Sequence, residues 1–308
     1  MSHELRKRGT RPHRILCAGI VVLDELFRVK DFPPPDGKVE ASAYTTIGGG
    51  NAANAAITIA RLGGQASYAG PVGDDAAGDR ILANLARENV DTSGCVRVPG
   101  TASPVSAVFV NAHGKRSIVT HRGAQLSATR PVDGAALVST VDAVLIDNRM
   151  AAFARPIAEA ARARNLPVVF DADKATTPDD PLFALATHVI FSSECLRQTV
   201  GEDDLATGVA RVAQRTRRFV AATNGPGDLV WSAGDKVSFM PVFKIVAVDT
   251  LAAGDIFHGA FALALVEGQS IAQCLRFAAA TAGLKCTRFG GSTSIPTRDE
   301  VEAFLKAS

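Results

Sequence analysis

Residues Val248 to Phe261 read V-D-T-L-A-A-G-D-I-F-H-G-A-F. An extended, β-branched run from Lys244 to Thr250 passes through Ala252, Ala253 and Gly254 into Asp255, which opens a segment apolar nearly all round. A helix apolar on every side is an interior helix. Unpaired amides at its start, with small residues allowing close approach, suit a transferring phosphoryl group, and Asp255 is placed to take a proton from the attacking hydroxyl. An aspartate there is equally an ordinary N-cap, so both readings stand at this point.

Outward from that helix, β and helical patterns alternate. A β-run covers Arg14 to Leu23, and short segments with a turn at Pro33 to Gly37 follow up to Ile47. A helix starts at Asn51, a strand covers Ala66 to Gly73, and a helix covers Ala76 to Val90. Later strands at Asp142 to Asp147, Leu166 to Asp173 and Thr187 to Ser193 are separated by helical stretches. Such alternation predicts a mostly parallel sheet covered on both faces, an α/β Rossmann-like three-layer α/β/α sandwich. Ser103 to His121 reads as two strands around a turn at Ala112 to Lys115. The β excursions at about 25–46 and about 103–122 predict a small β-sheet lid on a single domain over 13–308, after a flexible tail at 1–12. Thr297 to Glu300 form a capping box that starts a last helix.

The 308 residues, 47% hydrophobic, suffice for a large core. With 33 basic and 31 acidic side chains the net charge of +2 excludes nucleic-acid or membrane binding by bulk attraction and leaves small molecules as partners. Arg6, Lys7, Arg8, Arg11 and Arg14 read as a solvated tail rather than a nucleic-acid arm. Five scattered cysteines without a C-x-x-C pair argue against a disulfide framework or structural zinc and fit a reducing cytoplasm. No run has the length of a membrane span, and the opening residues lack the apolar core of a signal peptide.

Gly48-Gly49-Gly50-Asn51-Ala52-Ala53 satisfies G-x-G-x-x-A, the weak form of the dinucleotide fingerprint. A strand precedes it, a helix follows, and Asp74 and Asp75 lie downstream at about the fingerprint's ~20-residue spacing. That reading leaves the Asp255 segment unexplained.

Asp249 to Ala260 resembles the late signature of the ribokinase-like (PfkB) carbohydrate kinases, D-T-x-G-A-G-D-x-F-x-x-[AG], and Gly49 to Ala56 is similar to their early signature, G-G-x-x-A-N-x-A. The resemblance spans nearly the entire chain. It implies an ATP-dependent kinase in which Asp255 is the base and Ala252, Ala253 and Gly254 complete an anion hole. Ala252 is a departure where the family usually has glycine; its methyl narrows the hole or demands a different backbone angle. Gly49, Gly50, Asn51 and Asn54 are implied to contact sugar, as is Asp24, whose carboxylate makes charge-assisted hydrogen bonds to hydroxyls.

For the nucleotide, Phe219 to Trp231 is similar to the family's T-x-G-x-x-G turn, with Thr223 and Gly225 in place, Gly227 in the same turn and Asp228 where the last glycine belongs. The resemblance lays Ala278 to Cys286 against the adenine, including Ala279 and Cys286. The family's N-x-x-E element, which orders magnesium and phosphate, aligns poorly with Ser192-Ser193-Glu194-Cys195, leaving Ser192 toward phosphate and Glu194 toward Mg2+. A divalent ion is expected because the triphosphate's charge needs neutralising, and a requirement for a monovalent cation stays open.

The stretches "LKCTRFGGSTSIP" and "DTLAAGDIFHGAF" look more like the sulfofructose kinase and ketohexokinase branches than ribokinase itself. A fructose-like ketose, with 6-sulfofructose as an anionic case, is therefore the expected substrate, and Lys38 and Arg149 are candidates to clasp its anion. Alternatives are a ribokinase, a nucleoside kinase, and a non-catalytic sugar or nucleotide sensor, the last being suggested by Ala252, Ser192 and Cys195. The resemblance further implies a homodimer through the lid.

Overall fold

The computed structural model describes residues 11–113, 115–177, 179–234 and 236–308. Most of the expected tail, residues 1–10, lies outside them, as does Gly114 of the turn at Ala112 to Lys115. In chain order the strands are β1 (Arg14–Ala18), β2 (Val22–Arg28), β3 (Ala43–Gly49), β4 (Gln65–Ala69), β5 (Pro71–Gly73), β6 (Val96–Val98), β7 (Val105–Val110), β8 (Arg116–His121), β9 (Ala143–Asp147), β10 (Val168–Ala172), β11 (His188–Ser192), β12 (Phe219–Thr223), β13 (Leu229–Ser232) and β14 (Val237–Met240). The α-helices are α1 (Asn51–Arg61), α2 (Ala76–Arg87), α3 (Gly134–Leu137), α4 (Ala151–Ala163), α5 (Pro181–Leu185), α6 (Ser193–Val200), α7 (Leu205–Thr216), α8 (Ala253–Val266), α9 (Ile271–Cys286) and α10 (Arg298–Ala307).

Eight strands form the main sheet in the order β14-β13-β12-β11-β10-β9-β1-β4. Pairing is parallel from β4 to β12, and β13 and β14 are added antiparallel. Because side chains alternate across a strand, the sheet feeds two separate cores. Ile15, Cys17, Ala143, Leu145 and Val169 pack with α1, α2, α8, α9 and α10 on one face. Leu16, Ala18, Val144, Ile146, Val168 and Phe170 pack with α4, α5, α6 and α7 on the other. The result is the three-layer α/β/α sandwich expected from the alternation.

A second sheet, ordered β3-β2-β7-β8, stands apart from the first, with β2–β3 and β7–β8 antiparallel and β2–β7 parallel. The run Arg14 to Leu23, read as one strand, divides between the two sheets. Ile20 N–H donates to the buried Asp147 Oδ2 at 2.7 Å instead of to a neighbouring strand, and there the chain leaves the main sheet. Ala66 to Gly73 divides likewise, since β5 leaves the main sheet to pair with β6.

The dinucleotide reading of the glycine run is overturned here. The strand before α1 is β3, which belongs to the small sheet and not to a parallel βαβ unit. At the helix start Ala52 N–H donates to Asp147 Oδ2 at 3.3 Å, so a protein carboxylate occupies the place a pyrophosphate needs.

The helices α1 and α8 pack backbone to backbone at Gly259 and Ala55. Ala52, Ala53, Ala55 and Ala56 are buried on α1, and a Cβ added to Gly259 of α8 would sit 2.6 Å from the Ala55 carbonyl oxygen. The capping box at Thr297 is present: Thr297 Oγ1 accepts from Glu300 N, and Glu300 Oε2 accepts from Thr297 N at 2.8 Å. Gly259→Leu is expected to force α1 and α8 apart and lower the unfolding free energy by about 1–3 kcal/mol, read from denaturant melts.

Candidate active site

Asp255 stands in the first turn of α8, where Asn54 Nδ2 from α1 donates to its Oδ2 at 2.6 Å. The close packing of the two helices makes that bond possible. Asn54 is 4% exposed and its Oδ1 has no hydrogen-bond partner among the described residues, a buried acceptor that a ligand hydroxyl would satisfy. Burial, then the charge of Asp171, pushes the Asp255 carboxyl up to about 8.

No side chain caps α8. Its cap residue, Ala252, has φ 64° and ψ 8°, a left-handed conformation that costs an L-residue roughly 1–2 kcal/mol. The different backbone angle expected of an alanine there is thus present. Ala253 N–H is turned back to the Thr250 carbonyl at 3.3 Å, which corrects its expected place among the free donors. Gly254 and Asp255 amides have no partner among the described residues. Gly254 is helical, and a Cβ there would meet nothing within 4 Å. Neither backbone angle nor protein packing demands a glycine at 254; open space in front of two bare amides is what the residue provides.

Two further acids and a histidine converge on this end of the sheet, none of them singled out by the sequence. Asp147 ends β9 and accepts from the amides of Ile20, Ala52, Arg149 and Met150. Burial raises its pKa to about 6 against those bonds. Asp171 in β10 accepts from Asn51 Nδ2 at 2.9 Å and lies 3.5 Å from His258 Nε2; burial, with Asp173 next, pushes it well up. His258 is held down by burial, its Nδ1 at 2.6 Å from the Gly254 carbonyl and Nε2 at 3.2 Å from that of Ile190. The signal was available: both β-runs end on an aspartate at the strand carboxyl end, where open α/β sheets bind ligands.

A cleft of about 220 Å³ lies between the sheets, lined among others by Asp24, Gly50, Asn51, Ser106, Thr120, Arg122 and Arg149. Asp24 is buried, which pushes it up to about 6 against a hydrogen bond from Ser106. Gly50 has φ +97°, and a Cβ would lie 2.6 Å from the Ile20 carbonyl; a side chain on Gly49 would run into the Asp24 carboxylate. Arg149 pairs with Asp173. Arg122, absent from the sequence reading, has no carboxylate within 4.0 Å among the described residues. Lys38 does not line the cleft; it lies exposed in the loop between β2 and β3, so Arg122 takes the place expected of it.

The residues expected at a nucleotide are spread along the same edge. Ser192 and Thr223 are paired neighbours at the ends of β11 and β12. The turn after Thr223 holds Gly225 at φ +54°, and Gly227 N–H donates to the Asn224 carbonyl at 2.9 Å. Ser192 Oγ is occupied in capping α6, accepting from Cys195 N at 3.2 Å. Ala279 and Cys286 are buried in α9, whereas Ala282 and Gly283 are half-buried and present surface. Glu194 is exposed and accepts from Gln198 at 3.0 Å. Among the described residues no three His, Cys, Asp or Glu side chains form a metal-ligand set, and Glu194, expected to face magnesium, has Gln198 as its side-chain partner.

A family model described as pfkB family carbohydrate kinase matches residues 12–298. The ribokinase of Bacillus subtilis (strain 168) is 32% identical over 285 residues, covering 91% of this chain and 96% of that protein. The ATP-dependent ribose-1-phosphate kinase of Halopiger xanaduensis is 28% identical over 293 residues, covering 95% and 98% of the two chains. A crystal structure from Agrobacterium tumefaciens, provisionally described as a ribokinase, is 37% identical with a TM-score of 0.92, over 96% of this chain and 99% of that one.

A raised carboxyl pKa stabilises the fold below the unfolded value and loses that contribution as pH climbs to the folded one. Asp255→Asn is therefore expected to melt at higher temperature than the parent chain at pH 8.5, with the gain shrinking toward pH 5; thermal melts across that range check the sign.

Proposed function

This chain belongs to the pfkB family of carbohydrate kinases and is an ATP-dependent sugar kinase, and we propose that it phosphorylates a primary hydroxyl of a small sugar held between Asp24 and Asp255. The observation that carries the reading is the pair of unpartnered amides at Gly254 and Asp255, next to a carboxylate of raised pKa. The acceptor hydroxyl gives its proton to Asp255 while the two N–H groups face the phosphoryl oxygens. Asn54 holds the carboxylate through Nδ2 and offers Oδ1 to the sugar. Asp24, Asn51 and the Gly49–Gly50 backbone bound the rest of the sugar. Thr223, Gly225 and Gly227 bound the triphosphate, whose counter-ion magnesium enters in its general role in phosphoryl transfer.

Ribose is the first substrate, ahead of the fructose-like sugar expected from the sequence. The ribokinase among the relatives supports that order, and the ligand-sensing alternative gives way to the enzyme. A second reading is favoured by one feature: Arg122, with no carboxylate in reach, faces the cleft with Arg149. Two guanidinium groups there suit a sugar bearing phosphate or sulfonate, and a relative named for ribose 1-phosphate supports that direction.

The small sheet is read as a lid that excludes water when the cleft is filled. Its edge strand β8 is exposed at every residue, with Ile118 45% and Val119 66% exposed, which supports pairing with a second copy. No helix among the described residues is long and apolar enough to cross a membrane, and five unpaired thiols fit a cytoplasmic setting.

Release of ADP is to be measured with ribose, fructose, ribose 1-phosphate, fructose 6-phosphate and 6-deoxy-6-sulfofructose. Ribose is expected to give the highest kcat/KM of the neutral sugars, rising with pH through about 8 as the free carboxyl ionises. Asp255→Asn is expected to lower kcat by about 10²–10⁴-fold; a variant keeping a tenth of the rate removes the base assignment. Gly254→Ala is expected to raise stability by about 0.5–1 kcal/mol through helix propensity while cutting kcat, because the methyl enters the space the phosphoryl group needs. An alanine variant both stabilised and fully active defeats the anion-hole reading.

A further inference from the structure

Lys285, in the last turn of α9, is the one lysine among the buried polar residues described, with a side chain 0% exposed. A lysine almost never sits wholly out of water unless something specific receives its charge. Here the receiver is a single residue: Nζ donates to the Asp249 main-chain carbonyl at 2.9 Å and lies 3.1 Å from Asp249 Oδ2. The same carboxylate accepts from Leu251 N at 2.8 Å, Gly290 N at 3.1 Å and Gly291 N at 3.0 Å. The neighbouring Cys286 carbonyl accepts from Val248 N at 2.8 Å and Asp249 N at 3.2 Å. Two adjacent residues of α9 therefore grip the chain just before the left-handed Ala252 and the amides of Gly254 and Asp255.

Such a turn does not hold itself. Ala252 is in a conformation an alanine avoids, no side chain caps α8, and the segment from Lys244 to Asp249 pairs with no strand. Among the described residues the contacts that fix it run through Asp249 and the Cys286 carbonyl, and the cation paired with Asp249 is Lys285. Arg116 of the small sheet touches the same segment only at Thr250 Oγ1, at 3.2 Å and from the exposed side.

We propose that Lys285 is a positioning residue for phosphoryl transfer, its ammonium clamping Asp249 so that the Ala252 to Asp255 turn presents its two amides to the transferring group. This rests on the kinase reading above. An ammonium and a desolvated alkali cation ask for the same hard oxygen ligands, here a carbonyl and a carboxylate. With the ammonium built in, turnover does not depend on potassium or sodium in the buffer, which answers the open question of a monovalent cation.

The test uses the full chain and whichever sugar of the panel is turned over. Lys285→Met is expected to lower kcat by about 10-fold or more while the sugar KM moves less than about threefold, because the cleft residues lie on other elements. Ammonium or methylammonium chloride is expected to restore its kcat with saturation, and tetramethylammonium chloride is not. Wild-type kcat is expected to be the same in potassium, sodium and ammonium chloride. Should Lys285→Met fail to fold, the double variant Asp249→Asn with Lys285→Met removes both buried charges and keeps the fold. A double variant with wild-type melting and kcat down about 10-fold supports the clamp; one within about threefold of wild type overturns it. Failure of ammonium to rescue a folded Lys285→Met, or wild-type dependence on an alkali ion, overturns it as well. Wild-type chain that releases no ADP with any sugar defeats the kinase reading itself, an outcome separate from active wild type with an unimpaired lysine variant.

Discussion

A hydrogen bond between Asn54 and Asp255 joins residues 201 positions apart, and the candidate site is assembled around it. It exists because α1 and α8 approach until Gly259 touches the Ala55 backbone. Alanines on one helix and a glycine on the other remove the side chains that would otherwise separate the axes. The two segments that look functional in the sequence are thus also packed closely against each other, and their small residues serve both ends. Local chain geometry, helix contact and side-chain chemistry cannot be varied independently there.

The acids at this edge are held against their own chemistry. Asp147, Asp171 and Asp255 are all pushed above the ordinary carboxylate range, with burial the largest cause in each. Asp147 is offset by four amides, Asp171 by Asn51 and Arg149, and Asp255 by Asn54 and His258. Asp171 and Asp255 are pushed furthest, and of the two it is Asp255 that stands at the bare helix start.

Much of the fold was legible because it rests on local pattern: short continuous apolar runs became the strands of the covered parallel sheet, and a segment apolar all round became the interior helix α8. The capping box at Thr297 was legible because its two hydrogen bonds are local. Where the reading failed, the deciding contact was distant. The break after Ala18 depends on Asp147, 127 residues further on from Ile20, which no local pattern signals. The glycine run, implied by the resemblance to contact sugar, also satisfied a dinucleotide string, because a string does not say which sheet its strand joins. Asp255, Asn54 and Asp24 were legible through motif, and the structure brings the first two into contact. Arg122 was not, since an arginine just past a short exposed strand looks like any surface residue until the fold turns it to the cleft. Lys285 was hidden for the opposite reason, a charge inside an apolar helix pattern.

The division of the sheet into two cores has a consequence for how this molecule tolerates change over generations. The face bearing α1, α8 and α9 answers to the placement of Asn54, Asp255 and the Asp249 hub, so nearly every methyl there is constrained twice. The face bearing α4 to α7 answers to apolar packing alone at positions such as Phe153, Ile157 and Val209. Drift should collect on that second face, and an engineer wanting a hardier catalyst should redesign it first, treating the sheet as a wall that insulates chemistry from repair.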